Sequence, residues 1–162
     1  MFDELKRLIE NDLAREASDL LDDMIENDEM VDKGYLLEIL LKTKNPSLRN
    51  SIAFALSDLG VEEVVEPIIT LLKSPETLGN RGSLLSALEP FNYVKHAELL
   101  VDYFLNGNYE VSRRSYSLLE PILGQITGKD KEKFAGKIEE KIENLEIELD
   151  FLKDTLELFE SQ

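Results

Sequence analysis

The stretch Tyr35-Leu-Leu-Glu-Ile-Leu-Leu-Lys-Thr-Lys-Asn-Pro-Ser-Leu-Arg49-Asn-Ser-Ile-Ala-Phe-Ala-Leu-Ser-Asp-Leu-Gly60 decides how this chain is read. A leucine-rich run meets a polar break at Asn45-Pro46, and an Ala-rich run follows and stops at Gly60. Pro46 suits the first turn of a helix, where its missing N–H has no intrahelical partner to lose. Gly60 stands where a helix end calls for a left-handed residue. The stretch therefore predicts two short helices joined by a tight turn.

Outward from this stretch the pattern returns. Ser51-Ile-Ala-Phe-Ala-Leu-Ser-Asp-Leu59 aligns with Ser83-Leu-Leu-Ser-Ala-Leu-Glu-Pro-Phe91 and with Arg114-Ser-Tyr-Ser-Leu-Leu-Glu-Pro-Ile122, at offsets of 32 and 31 residues. Val64–Leu72 aligns with His96–Phe104, and an arginine recurs near the start of each second helix, at Arg15, Arg49, Arg81 and Arg113. In the run from Val61 to Lys73, Val64, Val65, Ile68, Ile69, Leu71 and Leu72 recur at helical spacing and predict a wide buried stripe. Further breaks fall at Ser74-Pro75, Gly107-Asn108 and Gly128, and alternating strand patterns are hard to find. The fold class expected is all-α. A two-helix unit of this length cannot bury its apolar face alone, so successive copies are expected to stack.

The segment Tyr35 to Gly60 resembles one short HEAT repeat of the bacterial type, and the resemblance extends over roughly residues 5 to 123. It is strongest in 35–91 and weaker in the last copy, where Leu118 stands in place of Ala55 and Ala87. Tetratricopeptide repeats have a similar period, but their aromatic and glycine signature is missing here. The resemblance implies a right-handed α-solenoid of about four antiparallel helix pairs, first helices convex and second helices lining the concave side. It implies protein binding as the commonest task, with a minority of DNA-binding or enzymatic members. The organisation expected is a single domain over 1–162: an acidic helix pair in 1–32, HEAT-like repeats in 33–127 and C-terminal capping helices in 128–162.

In that last segment Phe134, Ile138, Ile142, Leu145, Leu149, Leu152, Leu156 and Phe159 follow each other at three- and four-residue steps. This near-heptad seam predicts one long helix or two abutting ones. Ile147, Phe151 and Leu158 add a second apolar flank, so the expectation is a cap packed within one globule, and a monomer rather than a homodimer. A dimerising coiled coil is the alternative.

Of 162 residues, 18 are Lys or Arg and 34 Asp or Glu, a formal net charge of −16. The acid is unevenly placed: the net is −9 over residues 1–32, −2 over 33–127 and −5 over 128–162. Binding to nucleic acid or to an anionic membrane calls for a basic surface, so neither is expected. The absence of cysteine excludes disulfides and Cys-ligated metal sites, and fits a reducing compartment. The Met1 region is acidic where a signal peptide would be basic, which gives the expectation of a cytoplasmic protein.

Catalytic chemistry finds no anchor in the residues. His96 is the one histidine, without the spacing of a zinc site, and no phosphate loop, dinucleotide fingerprint or nucleophile elbow is present. Asp28, Glu29 and Asp32 lack the spacing of a calcium loop. A non-enzyme without cofactor or metal is expected. The recurrent arginines read as links to an acidic or carbonyl group of the adjacent unit, or as a ladder for phosphates. The dense acidic run reads as a solvated helix face, or as a patch that steers a cationic protein. On the second reading the partner-binding residues are Asp19, Asp22, Asp23, Glu26, Asp28 and Glu29, with Asp58, Glu89 and Glu120 near the ends of later second helices. Small, acidic, soluble antidotes to basic nuclease toxins fit this description, so an immunity protein against a bacterial nuclease toxin is the sharpest expectation. A scaffold or assembly adaptor is the alternative, with a homodimer through the C-terminal helix as one form of it.

Overall fold

The computed structural model describes residues 1–161, and among them every regular element is helical. Four helix pairs come first: α1 (Phe2–Glu10) with α2 (Ala14–Glu26), α3 (Lys33–Lys42) with α4 (Pro46–Asp58), α5 (Val65–Lys73) with α6 (Arg81–Ser86), and α7 (Ala97–Asn106) with α8 (Tyr109–Leu119). One long helix, α9 (Gly128–Glu160), follows. The chain divides into two compact units, Met1–His96 and Ala97–Gln162.

In the first unit each helix packs on its pair-mate, α2 packs on α4, α4 on α6, and α3 on α5. The faces that meet are those the spacing marks. α2 buries Ala17, Ser18, Leu21 and Met24, and α4 buries Leu48, Ile52, Ala53, Ala55 and Leu56. Val64, Val65, Ile68, Ile69, Leu71 and Leu72 are all buried, as their spacing predicts. The breaks behave as their chemistry requires. Asn45 Oδ1 accepts from the amides of Ser47 and Leu48 ahead of Pro46. Gly60 takes φ 62° after α4, where the Gly60 and Val61 amides bond back to the Ser57 and Leu56 carbonyls.

Two second helices are shorter than the aligned repeats predict. α6 stops at Ser86 and α8 at Leu119, and each gives way to tighter turns carrying i→i+3 bonds or 3-10 geometry. Both are followed by Glu-Pro, at Glu89-Pro90 and Glu120-Pro121, where α4 has Asp58-Leu59. Proline offers no N–H to continue the helical ladder, and after α8 the chain tightens although Glu120 itself stays helical at φ −53°, ψ −51°.

In the second unit α7 packs on α8 and on α9. Gly107 makes the α7–α8 turn possible: a Cβ there would lie 2.5 Å from the Tyr103 carbonyl oxygen and 2.7 Å from Val111 Cγ1. Thr127 caps α9, its hydroxyl oxygen accepting from the Asp130 amide. The C-terminal segment is one helix that meets α7 through its first turns. Phe134 is the one buried residue of α9, and from Ile142 onward the seam is open: Ile142, Leu145, Leu149, Leu152, Leu156 and Phe159 are each about half exposed or more.

Candidate functional site

The acidic residues of α2 project from the side opposite its buried stripe, with Asp19, Asp22, Asp23 and Glu26 all exposed. Packing of α2 on α4 adds Asp58, from the last turn of α4, to the same neighbourhood. Asp22 records the crowding. Its carboxyl is pushed above the ordinary 3.8, first by partial burial and then by repulsion from Asp19, Glu26, Asp23 and Asp58. Five of the nine residues singled out from the sequence thus share one electrostatic cluster.

The other four are placed differently. Asp28 and Glu29 form the turn that ends α2. Asp28 has φ 53°, its amide bonds to the Ile25 carbonyl at 3.1 Å, and the Glu29 amide bonds to the Met24 carbonyl at 2.9 Å. Asp12 plays the same part after α1, with φ 57°. Glu89 is exposed and lies near Tyr93, whose hydroxyl is held above its usual value by burial and then by this carboxylate. Glu120 belongs to the second unit.

The arginine series resolves into a local device in the two middle pairs. Arg49 Nη2 donates to the Thr43 carbonyl at 2.8 Å, and Arg81 Nη2 donates to the Ser74 carbonyl at 3.2 Å. Thr43 and Ser74 are the residues that close α3 and α5, both with extended backbone. Each arginine therefore donates to the carbonyl that closes its own pair's first helix, and at Ser74 that carbonyl also accepts from the Thr77 amide and hydroxyl. The expected link to an adjacent unit is not what these bonds make. In the last pair Ser112 Oγ reaches the Phe104 carbonyl at 2.7 Å instead, and Arg15 and Arg113 are exposed. Arg49 is 2 % exposed, so it is out of reach of a phosphate at the surface.

His96 is also accounted for by local packing. Its Nε2 lies 2.9 Å from Glu66 Oε1, and Lys95 Nζ lies 2.6 Å from the same oxygen. Hydrogen bonds from Lys95 and then His96 hold the Glu66 carboxyl below its ordinary value. Among the described residues no three His, Asp or Glu side chains converge as a metal site would require. No helix there is long and apolar enough to cross a membrane.

One feature of the second unit was not legible in the sequence: an apolar cleft of about 430 Å³. Val101, Phe104, Tyr116, Leu119, Leu123, Ile126, Phe134, Ala135 and Ile138 line it, with Glu120 and Lys131 supplying its charged groups. The tilted Phe104–Tyr116 ring pair, 6.1 Å between centroids, forms part of this wall. Its volume lies within the range of small-molecule sites. The residues come from α7, α8, the following 3-10 turn and α9, so no sequence window contains them together.

No protein-family model matches this chain, and no curated protein and no solved structure matches it either.

Proposed function

We propose that this chain is a non-enzymatic protein-binding module, and that the acidic face of α2 with the end of α4 receives a cationic protein surface. The observation that carries the reading is the exposed row of Asp19, Asp22, Asp23 and Glu26 opposite the buried stripe of α2, with Asp58 close enough to join them; partial burial and then these charges raise the Asp22 carboxyl. Such crowding costs stability, and proteins retain destabilising charge where function uses it. Negative potential on one face speeds encounter with a positive partner and selects against wrong ones.

The scaffold fits a HEAT-like stack. Helix pairs packing second helix on second helix, α2 to α4 to α6, support that reading, as does the first-helix contact of α3 with α5. In its narrowest form the proposal is an immunity protein that neutralises a bacterial nuclease toxin in the cytoplasm. A nuclease grips phosphates and so presents the basic surface this face would meet.

The test is association with a basic nuclease encoded beside this chain. Raising salt from about 0.02 to about 0.5 M should slow association tenfold or more, because screening shortens the reach of the field. Asp22→Asn with Asp58→Asn should slow it at low salt while leaving the fold at least as stable. An association rate indifferent to salt and to both substitutions would falsify the reading.

A further inference from the structure

The last 19 residues of α9 pose a physical problem. Helices in proteins owe most of their stability to packing of an apolar face, yet nothing in the second unit covers this one. The uncovered residues fall in heptad register. Ile142, Leu149 and Leu156 occupy the a positions and Leu145, Leu152 and Phe159 the d positions, with exposures from 49 % at Ile142 to 81 % at Phe159. Ile147, Phe151 and Leu158 lie on the other side of the helix and stay outside this seam.

The charges flanking the seam indicate what covers it. Lys141 and Glu148 stand at g, Glu146 and Lys153 at e. In a parallel, in-register pair, each g residue faces the e residue of the following heptad on the other helix. Lys141 then meets Glu146 of the second copy, and Glu148 meets its Lys153. Symmetry doubles both contacts, so all four are attractive and none sets like charges together. An antiparallel pair sets e against e and g against g, which keeps only the Glu146–Lys153 attraction. A purely cationic partner would face Lys141 and Lys153 unfavourably. The six seam side chains expose on the order of 600 Å² per chain, so a pair would cover about 1,200 Å², the lower bound for a specific interface.

We propose that α9 pairs with α9 of a second copy of this chain, forming a parallel two-stranded coiled coil from Ile142 to Phe159. This goes beyond the acidic-face reading and does not depend on it.

Light scattering of the full chain should give the mass of two chains at micromolar concentration, and Leu149→Lys with Leu156→Lys should give a monomer of the same fold by near-UV circular dichroism. Lys153→Glu, which turns two attractive pairs repulsive, should weaken association roughly tenfold, and adding Glu148→Lys should recover most of the loss. Because the chain has no cysteine, Ile142→Cys introduces a single thiol. It should form a disulfide with itself on mild oxidation of the native protein. A mixture of Ile142→Cys and Phe159→Cys chains should yield self-linked pairs in preference to mixed ones. A monomeric wild-type chain, a larger assembly, preferential Ile142–Phe159 cross-linking, or a dimer unmoved by Leu149→Lys with Leu156→Lys would each overturn the proposal.

Discussion

Residues with the same charge do different work here. Asp28 belongs to the densest acidic run of the sequence, but its backbone lies in the left-handed region that favours glycine. Gly60 occupies the corresponding place after α4. Asp28→Gly should therefore raise stability by up to about 1 kcal/mol in urea denaturation, because it removes strain at a position that α4 fills without any. Asp22 is constrained by its neighbours instead. Its raised carboxyl means that the folded state favours the protonated form. That advantage is complete below the unfolded value near 3.8 and is lost as pH rises through the higher folded value. At neutral pH ionised Asp22 is a small liability, so Asp22→Asn should be more stable than wild type by a few tenths of a kcal/mol. The gain should vanish when the same denaturation is repeated below pH 3.8. Arg49 shows what spacing can and cannot reveal. Its recurrence at the start of second helices was visible in the sequence, but its partner, the Thr43 carbonyl six residues back, depends on how α3 ends.

At the scale of the element, α9 is one helix of 33 residues with two characters. Its first turns are held to α7 by burial of Phe134 and by a charge cluster: Lys133 2.7 Å from Glu98, and Lys137 3.0 Å from Glu98 and 2.7 Å from Asp102. The carboxylates Asp102 and Glu98 raise the Lys137 ammonium above its ordinary 10.5, and Lys133 and Lys137 lower the Glu98 carboxyl below 4.5. The Lys137 contribution is present below 10.5 and lost as pH rises through its folded value. The Glu98 contribution is present above 4.5 and lost as pH falls through its own. The clamp thus operates between those limits. Lys137→Gln should quicken amide exchange in the first half of α9 by up to about fivefold at neutral pH, since solvent screens such exposed pairs and keeps their contribution small. Exchange beyond Leu145 should respond to protein concentration instead, as the pairing of α9 requires. The heptad seam was legible as a seam. Whether it closed on its own unit could not be read, because an apolar stripe specifies that it must be covered and not by what.

For the whole molecule, the charge of −16 is concentrated toward the two ends of the sequence. Net repulsion of this size opposes the compact state. Added salt at neutral pH should raise the thermal midpoint, and a midpoint that falls steadily with salt would show that ion pairs outweigh the repulsion. The all-helical class, the helix pairs, the breaks at Asn45-Pro46 and Gly107-Asn108 and the buried stripe of α5 were all determined by the sequence by itself. Each rests on residues within one or two turns of each other, where backbone geometry and apolar period act locally. Tertiary structure alone decided the rest: that Asp58 joins the α2 carboxylates, that Arg49 and Arg81 bond to carbonyls of their own pair, that a cleft opens beside Phe104, and that α9 leaves its seam uncovered from Ile142 onward. Those outcomes depend on which faces meet across tens of residues. The sequence encodes such meetings only through the packing of the folded chain.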